Sequence, residues 1–363
     1  MSSGEILYLT ALNNAFCYQS AAARALIDHF GTASEIFRHT ADELHRATAL
    51  PLSKITRLLS NSNLKESEKE VEWSKKQGIQ TYAIHDPSYP KRLFHCPDAP
   101  VILYSKGVAE LSPQKALAIV GTRSATPYGI NTTAQIVQNL AARGHRCTII
   151  SGLAYGIDIA AHQAALKAHL PTIAVFASGL DCVQPVKHFS IAQKIVQQGA
   201  CVSDSPSNTT IAKVNFIKRN RIIAGLSDGV LVVESKEKGG ALITAQIAQS
   251  YDREVMALPG RWSDPCSKGC NTMIKKQQAI LVSNVEDIEQ QLNWAPALTN
   301  ASSPPPNDLI DAGLLQALEK GPLSIDQLHR TSQLPLSELS IRLMNLTLKG
   351  LIHRLQQNQY CLC

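Results

Sequence analysis

The chain has 363 residues, 44% of them hydrophobic and 18% charged, with a formal net charge of +6 and a sequence pI near 8.8. That length and apolar content exclude a disordered chain and predict two or three domains; no run approaches the roughly 18 uninterrupted apolar residues of a membrane span. The mild positive excess permits a polyanionic partner without demanding one, and nine cysteines scattered without a framework, in a chain lacking a secretory signal, point to a reducing cytoplasm.

Residues 1–75 carry apolar positions at helical spacing, as at Ala22, Ala25, Leu26 and His29, with breaks at Gly31 and Pro51, and predict a small helical domain. A proline-rich connector over 76–115 follows, with a short strand-like run at Val101 to Tyr104, and is expected to pack on the core. From 116 to 296 the pattern alternates. Strands are predicted near Leu117–Val120, Cys147–Ile150, Thr172–Phe176, Val230–Val233 and Glu254–Leu258, with helices between them. Unbroken apolar strands alternating with helices predict an α/β fold, a Rossmann-like parallel sheet covered on both faces. Residues 297–307, with Ser302, Ser303 and three prolines, read as a linker. Three helices near Leu309–Leu318, Ile325–His329 and Leu336–Leu348, then short β runs at Leu351–Leu355 and Gln359–Leu362, make 308–363 a winged-helix-like domain.

In open parallel sheets ligands bind at the carboxyl ends of strands. Three such ends carry small residues: Gly121-Thr122-Arg123-Ser124, Ser151-Gly152-Leu153-Ala154-Tyr155-Gly156 and Ala177-Ser178-Gly179-Leu180. Small residues let backbone N–H groups approach a phosphate, and Arg123 adds charge on the same rim. Any one of these ends alone is also ordinary turn chemistry.

The strongest signal is the string Asn215, Phe216, Ile217, Lys218, Arg219, Asn220, Arg221, which with Lys213 lies in a stretch free of carboxylates between Asp204 and Asp228. As a helix it puts Phe216, Ile222, Ile223 and Leu226 on one face and Lys218, Arg221 and Gly225 on another. Lys218 and Arg219 then fall in the first turn. Cations there oppose the helix dipole, so an anion is the natural completion. Each cation has a second reading, as the partner of a nearby carboxylate such as Asp204. Phe216 reads either as a core residue or as a ring on which unpaired bases stack.

Other chemistry is thin. No G-x-G-x-x-G follows the first strand and no G-x-x-x-x-G-K-[ST] occurs, which weakens dinucleotide and nucleotide-hydrolysis readings. His162, four residues beyond Asp158, reads as a packed or partnered histidine rather than a base. Cys266 and Cys270 lack a second pair for a closed zinc site and read as structural thiols. No cofactor or metal is expected.

These motifs together resemble the DNA-processing protein A family, DprA, also called Smf. The resemblance rests on AIVGTRSATPYG at 118–129, SGLAYGIDIAAH at 151–162, NFIKRNRIIAGLS at 215–227, GALITA at 240–245, LPG at 258–260 and GCN at 269–271. It implies a Rossmann-like single-stranded DNA-binding protein of natural transformation that protects incoming strands and helps load the RecA recombinase, without known catalysis. It also implies homodimers formed through the core. Carried over by motif, the expected DNA contacts are Arg123, Ser151, Gly152, Tyr155 and the string Asn215, Phe216, Lys218, Arg219, Asn220 and Arg221. The chain departs from the family at Tyr155, where arginine is usual, at Ile217, where proline is common, and at Thr122 and Gly239, both serine elsewhere. Two rival readings stand beside this one. Similar folds include nucleotide phosphoribohydrolases, but their P-G-G-x-G-T-x-x-E string is replaced here by Glu237-Lys238-Gly239-Gly240-Ala241. The C-terminal module, with Arg342, Lys349 and Arg354, is the alternative DNA reader, for duplex.

Overall fold

The strand-like runs of the sequence become neighbours in one nine-stranded sheet of order β1-β2-β6-β5-β4-β3-β7-β8-β9. The computed structural model describes residues 3–16, 19–295, 309–319, 321–348, 351–355 and 359–362, so the linker expected at 297–307 lies outside the described residues. The strands are β1 (Gln80–Ala83), β2 (Ile102–Gly107), β3 (Ala116–Val120), β4 (Thr148–Ser151), β5 (Thr172–Val175), β6 (Ala200–Ser203), β7 (Gly229–Val232), β8 (Glu254–Ala257) and β9 (Ile280–Leu281). From β6 to β9 every pair is parallel, while β1 and β2 close the other edge in antiparallel pairing. The proline-rich connector thus supplies two strands of the sheet itself. Residues of β3 to β7 are all buried, as unbroken apolar runs require. Along β3 the two faces alternate: Ala116, Ala118 and Val120 join one apolar cluster, Leu117 and Ile119 the other.

The chain winds from β3 outward to β6. The helix Lys213–Leu226 then carries it back across the sheet to β7, on the far side of β3. This reversal makes the β3/β7 pair the topological switch point, where the carboxyl ends of open sheets form a crevice. Lys213–Leu226 packs Ile222, Ile223 and Leu226 on the first face, and the helices Pro127–Ala142 and Ile157–Lys167 cover the second. At the opposite end of the pair, Asp228 enters β7. Its carboxylate accepts the Ala116 N–H at 2.8 Å and is gripped by Arg92 through Nε at 2.5 Å and Nη2 at 3.0 Å.

Six helices precede β1, from Ser3–Ala15 to Asn61–Lys76. Local sequence starts several of them; Thr40 and Glu43, for example, form a reciprocal cap that begins the helix Ala41–Thr48. Leu12, Leu26, Ile36, Leu44 and Leu58 belong to the same buried cluster as Ile102 and Val202 of the sheet. Asn13 Nδ2 donates to the Asp204 carbonyl at 2.8 Å, and Arg24 donates to the Cys96 carbonyl at 2.7 Å. The boundary at 75 is therefore a change of secondary structure and not a break in packing: Met1–Ala297 forms one compact unit.

Leu298–Cys363 is the second unit. Its helices Leu309–Leu318, Ile325–Ser332 and Leu336–Leu348 and its three-stranded antiparallel sheet, β10 (Leu323–Ser324), β11 (Ile352–Arg354) and β12 (Gln359–Leu362), enclose Leu314, Leu328, Leu343 and Ile352. No helix among the described residues is long and apolar enough to cross a membrane.

A shared core predicts shared unfolding. Leu12→Ala, at a fully buried position, is expected to destabilise the unit by about 2–5 kcal/mol while 1–297 still unfolds in one urea transition. Separate melting of the N-terminal helices, followed by tryptophan fluorescence and far-UV circular dichroism, would contradict this packing.

Candidate nucleic-acid interface

The crevice at the carboxyl ends of β3 and β7 is a groove of about 320 Å³, walled by the 121–124 turn, by one face of Lys213–Leu226, and by the segment from Ser235 to the start of the helix Gly240–Ser250. A buried carboxylate holds its base. Glu234, two residues past the end of β7, accepts the Thr126 N–H at 2.9 Å and the Thr126 hydroxyl at 2.5 Å, while its carbonyl accepts the Thr122 N–H at 2.8 Å. Thr126 Oγ1 in turn caps the helix Pro127–Ala142 through the Gly129 N–H at 3.1 Å. The second turn, Ser151 to Gly156, lies against the first. A Cβ at Gly156, which has φ +79°, would meet the Thr122 carbonyl oxygen at 2.1 Å, so only glycine allows the approach.

Four cations line the groove: Arg123, Arg219, Lys236 and Lys238, with Asp158 the one carboxylate among its lining residues. Arg123 is exposed, and its guanidinium carbon lies 5.0 Å from the centroid of the Phe216 ring, a cation–π contact joining two of the sequence motifs. Phe216 is half-buried, so neither of its sequence readings holds alone. Asn220 is half-buried and also lines the groove. At the groove's end, Gly239 begins the helix Gly240–Ser250 without a side-chain cap, leaving its first amides to the groove.

The basic string is arranged differently from the expectation. The helix starts at Lys213, five residues before Lys218, so Lys218 and Arg219 sit in its second turn and Lys213 is the cation of the first. Ile217 does not interrupt it. Arg219 is only 5% exposed; its Nη1 donates to the Val175 carbonyl and its Nε has no partner. Burial pulls its pKa down to about 10 against the opposing pull of Asp158, which leaves it charged at neutral pH. Gly152 makes room for this pair: a Cβ there would sit 2.4 Å from both Arg219 Nη2 and Asp158 Oδ2. Arg219 thus forms the floor of the groove.

Arg221 is turned away from it. It is buried in an ion pair with Asp204, donates to the Asp98 carbonyl at 2.6 Å and lies 3.4 Å from the Ser20 hydroxyl. Burial opposes its charge, but Asp204 and Asp98 outweigh that and raise its pKa. The carboxylate partner considered for these cations is real for Arg221. Three further expected contacts also serve the fold. Ser151 is buried and donates to the Ile119 carbonyl at 2.6 Å; Asn215 is buried and holds the Thr210 carbonyl at 3.0 Å; Gly152 accepts from His162 at 2.6 Å. Lys218 is half-buried outside the groove lining, and Tyr155, also outside it, is 45% exposed with its ring edge-on to His188 at 4.9 Å.

His162 is a core histidine. Its Nε2–H donates to the Gly152 carbonyl and its Nδ1 lies 2.7 Å from the Thr172 hydroxyl. Burial pushes its pKa down to about 4, so it is neutral at pH 7. Cys270 is buried, with a thiol pushed up to about 12 by burial, and no group of metal-binding side chains occurs among the described residues. In the C-terminal unit Arg342 is paired with Asp311 at 2.9 Å and Glu338 at 3.1 Å; Lys349 lies outside the described residues.

Sequence reasoning missed Lys236 and Lys238, although the rule it used points to them: they lie four and six residues past the carboxyl end of β7, as Arg123 lies three past that of β3. It also missed the clamp at Glu234, visible only as the acid that ends an apolar run.

The residues that build this groove lie within a stretch that matches known proteins. A family model described as DNA recombination-mediator protein A matches residues 80–293, and one described as the DprA winged helix domain matches residues 299–358. The chain belongs to the DprA/Smf family. Protein Smf of Escherichia coli is 36% identical over 314 residues, spanning 84% of this chain and 83% of that protein. DNA processing protein DprA of Bacillus subtilis is 39% identical over 219 residues, 60% of this chain and 73% of its own. Among solved structures, Streptococcus pneumoniae DprA aligns with a TM-score of 0.59 at 30% identity, covering 75% of this chain and 97% of that one. Helicobacter pylori DNA processing protein A, described for its single-stranded DNA binding mode, aligns with a TM-score of 0.53 at 31% identity, covering 60% and 97%. This DprA/Smf chain thus combines the family's mostly parallel α/β sheet with its winged-helix domain.

Two outcomes follow from the buried groups. Asp204→Asn leaves Arg221 buried without its counter-charge and is expected to cost about 3–5 kcal/mol in urea unfolding. His162, with a folded pKa below its unfolded value, adds stability that is complete above about pH 6.5 and is lost as pH falls toward 4, up to about 3 kcal/mol. His162→Gln, which keeps a donor for Gly152, is expected to flatten the pH dependence of the melting temperature within that window.

Proposed function

We propose that this chain binds single-stranded DNA along the groove, with Arg123, Lys236 and Lys238 taking phosphates at the rim and Arg219 supplying fixed positive charge beneath them. The observation that carries the reading is the convergence of four cations, from three separate segments, on one crevice with a single opposing carboxylate. Uncapped amides at the start of Gly240–Ser250 add donors for the same backbone. The likeness to the Helicobacter pylori protein supports the choice of a single strand over other polyanions. In this reading the chain works in the cytoplasm during natural transformation, as a homodimer that shields incoming strands and helps load RecA.

The chemistry of the groove favours holding over cleaving. His162 is buried, neutral and fully engaged, and Glu234 is committed to Thr126. Incubation with nucleoside monophosphates is expected to release no base, which separates this reading from the phosphoribohydrolase alternative.

The direct test uses the exposed cations, because reversal at Arg219 would also bury a carboxylate. Arg123→Glu with Lys236→Glu is expected to weaken binding to all sequences alike and to reduce the slope of log affinity against log salt by about 1.4, or 0.7 per lost phosphate contact. Fluorescence anisotropy with mixed-sequence oligonucleotides over a salt series measures both. Unchanged affinity in the double variant would remove the groove from the DNA path.

A further inference from the structure

Trp262 is 88% exposed, more than any other large apolar side chain among the described residues. An indole in water forgoes the burial of a large apolar surface, so a loose loop would be expected around it. The loop is built instead. The Asp264 N–H bonds to the Arg261 carbonyl at 3.0 Å, closing a tight turn with Trp262 at its tip. The Asp264 carboxylate accepts the Cys266 N–H at 2.9 Å and the Ser267 hydroxyl at 3.2 Å. Before the turn, Gly260 and the Asn271 side chain exchange two hydrogen bonds, at 3.1 and 2.9 Å.

The far end of this loop is anchored on the groove. The Cys266 carbonyl accepts the Ser235 N–H at 2.7 Å, and its sulfur lies 3.9 Å from the Ser124 carbonyl oxygen, so Cys266 touches both the β3 and the β7 sides of the crevice. Trp262 is four residues from that anchor, which bounds the separation of their Cα atoms at about 14 Å. Around it the charge is mainly positive: Arg261 and Lys268 are exposed on the same segment, Lys236 and Lys238 flank a single exposed carboxylate, Glu237, on the adjoining rim, and Asp264 engages its carboxylate within the loop.

We infer that Trp262 is a stacking platform for an unpaired nucleobase of a strand leaving the groove, with Arg261 holding the neighbouring phosphate. The inference rests on the reading of the groove as a single-strand site and extends it by one contact. A flat ring presented on a rigid turn beside cations suits a nucleotide, because every base has a π-face and every linkage a negative charge. A protein surface of ordinary composition has no such need for the flanking arginine.

The test compares two oligonucleotide lengths, one short enough to occupy only the groove and one several nucleotides longer. Trp262→Ala is expected to lower affinity for the longer strand about tenfold, within the range of a lost base stack, with the short strand and the salt slope unaffected. Trp262→Phe should keep most of the affinity, and wild-type tryptophan emission should be quenched by the longer strand more strongly than that of Trp262→Phe. Thermal unfolding of both variants should match the wild type, since the residue is almost fully exposed. Equal binding of the longer strand by wild type and Trp262→Ala, in a protein where Arg123→Glu still weakens binding, would overturn the stacking platform and leave the groove standing. A loss of self-association in Trp262→Ala without loss of DNA affinity would overturn it in favour of a protein contact. No binding of single strands by the wild type would overturn both.

Discussion

The buried pair of Arg221 and Asp204 ties four parts of the molecule together. Arg221 lies on the helix that returns the chain to β7, Asp204 follows β6, and the same guanidinium reaches Asp98 in the proline-rich connector and Ser20 in the N-terminal helices. The Asp204 carbonyl, meanwhile, receives Asn13. Such a pair contributes little net stability over an apolar substitute, because both charges surrender their hydration. Its effect is on placement. With Arg221 drawn to one side, the helix is rotated so that Arg219 and Asn220 face the crevice, and one basic string serves both the interior and the groove.

That division explains what the sequence could and could not convey. The parallel core was legible because β3, β4, β5, β7 and β8 are apolar on both faces and separated by helical patterns. β6 was not, since Ala200-Cys201-Val202-Ser203 carries a single β-branched apolar residue, and β9 has two residues. In the connector β2 showed as the strand-like run at Val101 to Tyr104, while β1 was missed; the prolines sit outside both strands. Arg123 and Phe216, singled out by motif and position, both line the groove. Arg221 was misplaced because periodicity assigns faces relative to one another and does not say which face meets solvent. Ser151 looked available for a similar reason: its hydroxyl satisfies a backbone carbonyl that only the folded sheet brings within reach.

The groove itself depends on carboxylates that do not face it. Glu234 fixes the 121–126 turn by accepting from Thr126, and Gly129 is required because any side chain there would collide with the Glu234 carboxylate, 2.4 Å from the position of a Cβ. An acid at this position settles where the cations stand while adding no exposed negative charge, since it is buried. The segment that follows Arg123 accordingly serves Glu234, through Thr126 and Gly129.

Asp228 does at the opposite end of β7 what Glu234 does at this one, accepting a backbone N–H from Ala116 at the start of β3 as Glu234 accepts one from Thr126 beyond its end. Pinned at both ends, β3 and β7 fix the width of the crevice at the switch point. A ligand of that crevice would meet walls already in place, with little of the protein's own freedom left to lose on binding.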